Sequence, residues 1–189
     1  MPNLKRLFDL ALSAPLIIIL IPLFFFIGIF IKLDSKGTIF FISERVGING
    51  SKFKMLKFRT MYLDTKLIES NKIKLSDKKT TIVGKSLRKY SLDELPQFIN
   101  VLIGDMSIVG PRPSLFSQKD LNESRKKIGI STLKPGITGL AQIRGRDLIT
   151  IRKKLHYETE YLKNNNLWID FIILIKTLKI VLTKKGILH

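Results

Sequence analysis

LALSAPLIIILIPLFFFIGIFI, residues Leu10–Ile31, runs for 22 residues without a charge. As a helix it would reach about 33 Å, the thickness of a bilayer's hydrocarbon core. A cleavable signal peptide fits poorly: the run is too long, and no small-x-small site follows it. A buried soluble helix fits no better, because the stretch carries four phenylalanines and seven isoleucines. The segment is predicted to enter a membrane. Lys5 and Arg6 precede it, Lys32 and Lys36 follow it, and residues 37–189 carry a net +16. Positive charge on both flanks favours both ends lying on the cytoplasmic face. Pro22 sits near the middle and Pro15 seven residues earlier, and a mid-helix proline removes a backbone bond and kinks the helix. The expectation is a re-entrant helix that enters and leaves one leaflet. Residues 1–36 are then the membrane-embedded part and residues 37–189 a cytoplasmic domain.

The whole chain has 189 residues, enough for one domain and an appendage. It lacks cysteine, which excludes disulfides, thiolate metal sites and cysteine nucleophiles. Its two histidines, His156 and His189, cannot build a multi-histidine metal site. Acid–base or nucleophilic chemistry therefore falls to carboxylates, lysines or hydroxyls. The net charge of +18 implies anionic partners: acidic lipid, nucleic acid or phosphorylated small molecules.

Beyond the apolar run, Thr38–Ile42 and Phe53–Phe58 are β-rich, and Asn49-Gly50 between them is a strong turn signal, so a hairpin is predicted. Residues 62–82 are polar and Lys-rich, an exposed helix or loop. Leu148, Ile151, Leu155 and Leu162 recur at helical spacing, with Asp147 placed to cap and Asn164-Asn165-Asn166 to stop. The apolar stretch from Leu167 to Leu182 opens with Trp168 and contains Lys176 and Lys179, with Lys184 and Lys185 after it. It suits an interfacial helix and a core-packing one equally. The fold class expected is α/β, mostly helical: a small globular domain with an N-terminal re-entrant membrane helix and interfacial amphipathic helices.

Four stretches look unlike scaffold. In Ser91-Leu92-Asp93-Glu94-Leu95-Pro96-Gln97, Ser91 and Glu94 have capping-box spacing. That box would put Pro96 inside the helix. A helix opening at Pro96 suits proline better and leaves Asp93 and Glu94 just outside it, where adjacent carboxylates favour a shared divalent cation. In Gly104–Pro113, prolines flank Arg112, and a guanidinium with a pre-set direction suits bidentate phosphate contact. Gly136 and Gly139 in Pro135–Gln142 suggest a tight turn or a close approach of backbone to ligand. Lys54–Met61 is a basic and apolar mixture suited to an anionic site, to headgroups or to a strand with a solvated face.

Together and in order, KFRTM (Lys57–Met61), SLDELPQ (Ser91–Gln97), GDMSIVGPRP (Gly104–Pro113) and PGITGLAQ (Pro135–Gln142) resemble the bacterial sugar transferase family, the monotopic phosphoglycosyl transferases. The likeness runs from Lys5 to about Asp170, and the chain resembles the family's minimal form. The resemblance implies an enzyme that transfers a sugar-1-phosphate from a UDP-sugar to undecaprenyl phosphate, releases UMP, and begins a surface glycan. It implies Mg²⁺ as cofactor, held by Asp93 and Glu94. Asp93 would be the nucleophile forming a covalent phosphosugar intermediate, with Glu94 assisting it. Arg112, Arg88, Lys57 and Arg59 are implied at the anionic site, and Gln142 at the donor. The implied location is the inner membrane, among its phospholipids, with the catalytic domain facing the cytoplasm and no nucleic-acid partner. One departure is that Ile21, where the family often has serine, precedes Pro22. The competing reading is a membrane-anchored basic protein binding acidic lipid or nucleic acid, which would have no use for an Asp-Glu dyad among basic residues.

Overall fold

In the computed structural model the described residues are 2–63, 79–145 and 149–183. Helix α1 (Pro2–Asp34) contains the whole apolar run, and both Pro15 and Pro22 lie inside it without ending it. It is long and apolar enough to cross a membrane, and little of it is buried. Its two ends are the exceptions. Near the start, Asp9 and Ser13 are buried; near the end, Ile27 and Ile31 are, whereas Ile18, Ile19 and Ile21 between them are exposed.

The predicted hairpin forms as β1 (Phe40–Val46) and β2 (Lys52–Phe58), antiparallel with Phe40 opposite Phe58 and Val46 opposite Lys52. The turn between them places Asn49 at φ 53° and Gly50 at φ 81°, the left-handed region these residue types tolerate. Period-2 alternation then sends the two faces of β2 to different places. Phe53 and Met55 enter the main core with Val101, Met106, Ile108 and Tyr161. Phe58 enters a second cluster with Ile27, Ile31 and Leu87, edge-on to Phe24 at 5.1 Å. Strand β2 therefore ties the end of α1 to the globule.

Helix α2 (Ile82–Lys89) follows, started by Thr81, whose hydroxyl accepts from Gly84 N at 2.9 Å. Val83 and Leu87, four residues apart, face one cluster, but eight residues are too few for that spacing to stand out in the sequence. The remaining elements are α3 (Gln97–Ile103), β3 (Ser107–Val109), α4 (Lys119–Ile128), β4 (Gly136–Thr138), α5 (Leu140–Ile143), α6 (Ile151–Asn164) and α7 (Leu167–Thr183). Strands β3 and β4 pair in parallel, Ser107 beside Gly136 and Val109 beside Thr138. The described residues form a mostly helical small globule with two two-stranded sheets.

Three sequence expectations change in detail. Helix α6 is capped by Thr150, which accepts from Lys153 N; Asp147 and Leu148 lie outside the described residues, as do 64–78 of the polar stretch and Lys184 and Lys185. Helix α7 combines its two readings: Asp170 and Ile173 are buried, while Trp168, Phe171, Ile175, Leu178 and Leu182 are exposed. Lys5 and Arg6, read as flanking charges, hold α1 to the globule. Lys5 Nζ pairs with Asp170 at 2.5 Å and donates to Tyr161 at 3.1 Å, and Arg6 donates to the Val101 and Leu102 carbonyls that end α3. Asp9 accepts from Ser107 Oγ and Ile108 N. Contacts thus cross the boundary drawn at residue 36 in both halves of α1.

Candidate active site

The Asp-Glu pair sits in a short 3-10 turn, Leu92–Glu94, between α2 and α3. Ser91 enters that turn at φ 55°, a left-handed conformation that costs a non-glycine residue about 1 kcal/mol. Its side chain does not cap the turn, so the capping box does not form. Helix α3 opens immediately after Pro96, the arrangement that suits proline, and leaves both carboxylates outside it.

What brings the turn against β2 is Asn100. This fully buried side chain acts as an extra strand edge: its Oδ1 accepts from Leu56 N at 2.9 Å, and its Nδ2 donates to Lys54 O at 2.8 Å. Lys57 consequently meets the dyad, with Nζ 2.7 Å from Glu94 Oε1 and 3.9 Å from Asp93 Oδ2. Arg112 reaches the same Glu94 oxygen through Nη2 at 3.1 Å. Arg88 on α2 donates to Thr60 Oγ1 at 2.9 Å and bears electrostatically on Asp93.

Burial pushes the Asp93 carboxyl above the usual carboxylate range, and the neighbouring Glu94 adds to the rise; Lys57, Arg88 and Arg112 pull against it. Asp93 is thus a shielded carboxylate surrounded by cations. Next to Glu94 lies a cavity of about 650 Å³ whose wall includes Lys57, Glu94 and Arg112, while Asp93 and Arg88 are not part of that wall. Six cationic side chains (Arg45, Lys57, Arg112, Lys119, Arg125 and Lys154) line it against two acidic ones, Glu94 and Asp120. That balance suits an anionic ligand of nucleotide size.

The structure thus brings Asp93, Glu94, Lys57, Arg88 and Arg112 together and leaves two other sequence candidates elsewhere. Strand β2 ends at Phe58, and the buried Arg59 guanidinium donates to the carbonyls of Ser35 and Lys36 after α1. Gln142 is buried on α5, against Gly139, and does not line the cavity.

Of the cavity residues that sequence reading gave no role, Gln97 and Arg45 stand nearest in character to ligand contacts. Gln97 is 2% exposed, and its Nε2 has no hydrogen-bond partner among the described residues, although the residue lines a polar space. Its position just after Pro96, inside the motif already singled out, was the available signal. Arg45 on β1 has its guanidinium brought down to about 10 by burial and by the like charge of Arg112. Two adjacent guanidiniums facing one cavity gain most from an anion that both can bind.

Residues 2–184 match the family model of the bacterial sugar transferases. The chain belongs to that family. It is 37% identical over 197 residues to the exopolysaccharide production protein ExoY of Rhizobium meliloti, covering 96% of this chain and 87% of that protein. It is 39% identical over 188 residues to the UDP-glucose:undecaprenyl-phosphate glucose-1-phosphate transferase of Klebsiella pneumoniae, covering 92% of this chain but 39% of that longer protein. It is also 36% identical over 188 residues to a UDP-N-acetylgalactosamine-undecaprenyl-phosphate N-acetylgalactosaminephosphotransferase of Aeromonas hydrophila, covering 97% of this chain and 44% of that one. This family member is a transferase, and exopolysaccharide assembly and undecaprenyl-phosphate sugar transfer are the processes its relatives are named for.

Proposed function

We propose that this sugar transferase moves a sugar-1-phosphate from a UDP-sugar to undecaprenyl phosphate through a covalent intermediate on Asp93. The observation that carries the reading is the buried carboxylate of Asp93, ringed by Lys57, Arg88 and Arg112 beside a cationic cavity. In the first step an Asp93 oxygen attacks the sugar-bearing phosphorus. A P–O bond forms, the bond to the bridging oxygen breaks, and UMP leaves with that electron pair. In the second step a phosphate oxygen of the acceptor attacks the same phosphorus, and the acyl-phosphate bond breaks to regenerate the carboxylate. Lys57 and Arg112 hold Glu94 and are placed to stabilise the charge that develops on the phosphoryl oxygens.

Asp93 and Glu94 are also the residues that would hold Mg²⁺. Two carboxylates suffice when phosphate and water oxygens complete the shell, and the described residues hold no larger carboxylate–histidine cluster. Burial first, and repulsion from Glu94 with it, disfavours the ionised Asp93, and an added positive charge would offset both. Bound there, the ion would neutralise diphosphate charge.

For the membrane, we read α1 as re-entrant. A helix of about 50 Å whose first turns and last turns are both bonded to one globule cannot place its ends on opposite sides of a bilayer. Supporting this are Lys5–Asp170 at one end and Ile27 and Ile31 against Phe58 at the other. The exposed apolar side of α7 suits the interface of the same leaflet. Both the globule and the chain ends then face the cytoplasm. Tags at residues 1 and 189 are expected to be protected in sealed cells, and an externally labelled residue 1 would restore a spanning helix.

The reaction is tested with detergent-solubilised protein, Mg²⁺, undecaprenyl phosphate and a panel of UDP-sugars, following UMP. Release with one donor, abolished by EDTA, is expected. Silence across the panel, with no thermal shift from any nucleotide sugar, would sink the proposal.

A further inference from the structure

Arg112 is held from behind by an ion pair that the dyad chemistry does not use. Arg125 on α4 and Glu158 on α6 join bidentately, Nε to Oε2 at 2.8 Å and Nη2 to Oε1 at 2.5 Å. Both are buried, at 8% and 2% exposure. The same Nη2 donates to the backbone carbonyl of Arg112 at 3.1 Å. Neighbouring carbonyls of this segment are taken by other parts of the fold: Pro111 O by Gly136 N at 2.8 Å, Ser114 O by Val46 N at 3.0 Å, and Leu115 O by Asn122 Nδ2 at 2.9 Å.

We propose that the Arg125–Glu158 pair positions Arg112 toward its phosphate; this rests on the reading that Arg112 contacts a diphosphate. Pro111 and Pro113 fix the φ angles on either side, and the residue before a proline is confined to extended conformations. The direction of the Arg112 peptide is the freedom that remains, and Arg125 fixes it through the carbonyl. Only a guanidinium has the planar fork that grips a carboxylate with two N–H groups and still donates to a third acceptor. Arg125 lines the cavity too, but Glu158 takes two of its N–H groups and offsets its charge, so Arg112 is the stronger of the two toward an anion. Mere stability would not need such a pair, since packed apolar residues serve as well or better in a buried site.

That difference supplies the test. Arg125→Met/Glu158→Met and Arg125→Lys are made in the wild-type and Arg112→Met backgrounds. Tm, inorganic pyrophosphate affinity and kcat/KM for UMP release are measured for each. The paired methionines are expected to keep Tm within a few degrees yet lose about 10- to 100-fold in kcat/KM and about tenfold in pyrophosphate affinity, the scale of a misplaced binding group. In the Arg112→Met background neither loss should recur, because the pair acts through Arg112. Should the paired methionines fail to fold, Arg125→Lys, which keeps the charge but not the fork, carries the same comparison. Wild-type kinetics in both variants, or a loss of equal size without Arg112, would overturn the inference, as would a wild type that does not bind pyrophosphate. A wild type that binds pyrophosphate through Arg112 but releases no UMP would refute the transfer reading alone, and the cycle would still be read on pyrophosphate.

Discussion

Asp93→Asn is expected to lower UMP release by about 10⁶-fold, the scale seen when a covalent nucleophile is removed. The amide keeps the shape of the side chain and loses only its nucleophilic oxygen. Because burial disfavours the charged form of Asp93, a neutral isostere carries less desolvation cost, so Tm should be no lower than wild type. A simple loss of fold would instead lower both. Incubation with donor alone separates the chemistry further. Wild type should release about one equivalent of UMP per active site and stop, as expected when the phosphosugar stays on the enzyme. Asp93→Asn should release none. Glu94→Gln is a different lesion: it removes the ion pairs to Lys57 and Arg112 while leaving the nucleophile, and about a 10- to 100-fold loss is expected. Full turnover in Asp93→Asn, or no UMP from wild type until acceptor is added, would remove Asp93 as nucleophile.

The features legible in the sequence are those set by local chemistry. Asn49-Gly50 dictates the hairpin because few residue types accept its left-handed turn, and Pro96 favours an opening of α3 beside it because a proline there forfeits no helical hydrogen bond. The cations were harder to sort. Lys57 and Arg59 have the same parity and would share a face if β2 continued. The strand ends between them, and long-range contacts decide the rest: Asn100 draws β2, with Lys57, to the dyad, while the end of α1 captures Arg59. Arg45, Gln97 and Arg125 reach the cavity from β1, α3 and α4, and no spacing rule encodes that convergence. Lys5 and Arg6 carry a second role that no flanking-charge rule shows. A charge beside an apolar run reads as a topology signal, and both also make half-buried contacts with α3, α6 and α7. Helix α2 does place Val83 and Leu87 four apart, but over eight residues that pattern is too short to be told from a loop, and its start rests on one capping hydroxyl.

Gly136→Ala is expected to destabilise the protein by about 3 kcal/mol, near the upper end of overpacking costs. For a chain of this size that lowers Tm by roughly 10 °C. The sequence left Gly136 and Gly139 open between a tight turn and a close approach to ligand. The structure gives a close approach, but of backbone to backbone. A Cβ on Gly136 would lie 2.1 Å from Gly110 N and 2.5 Å from Thr138 O, and one on Gly139 would lie 2.1 Å from Gly110 O. None of these atoms ends a flexible side chain, so relief requires β3 and β4 to separate. Separation strains the bonds from Gly110 N to Thr138 O and from Gly136 N to Pro111 O, both 2.8 Å. The second lies one residue from Arg112, so the folded fraction should also lose donor affinity. Thermal melts and UDP binding on the same preparations distinguish the two readings of the glycine. A lowered Tm accompanied by weaker binding is the result of strand packing. Wild-type stability with UDP binding abolished would mean that the space above Gly136 belongs to the ligand after all.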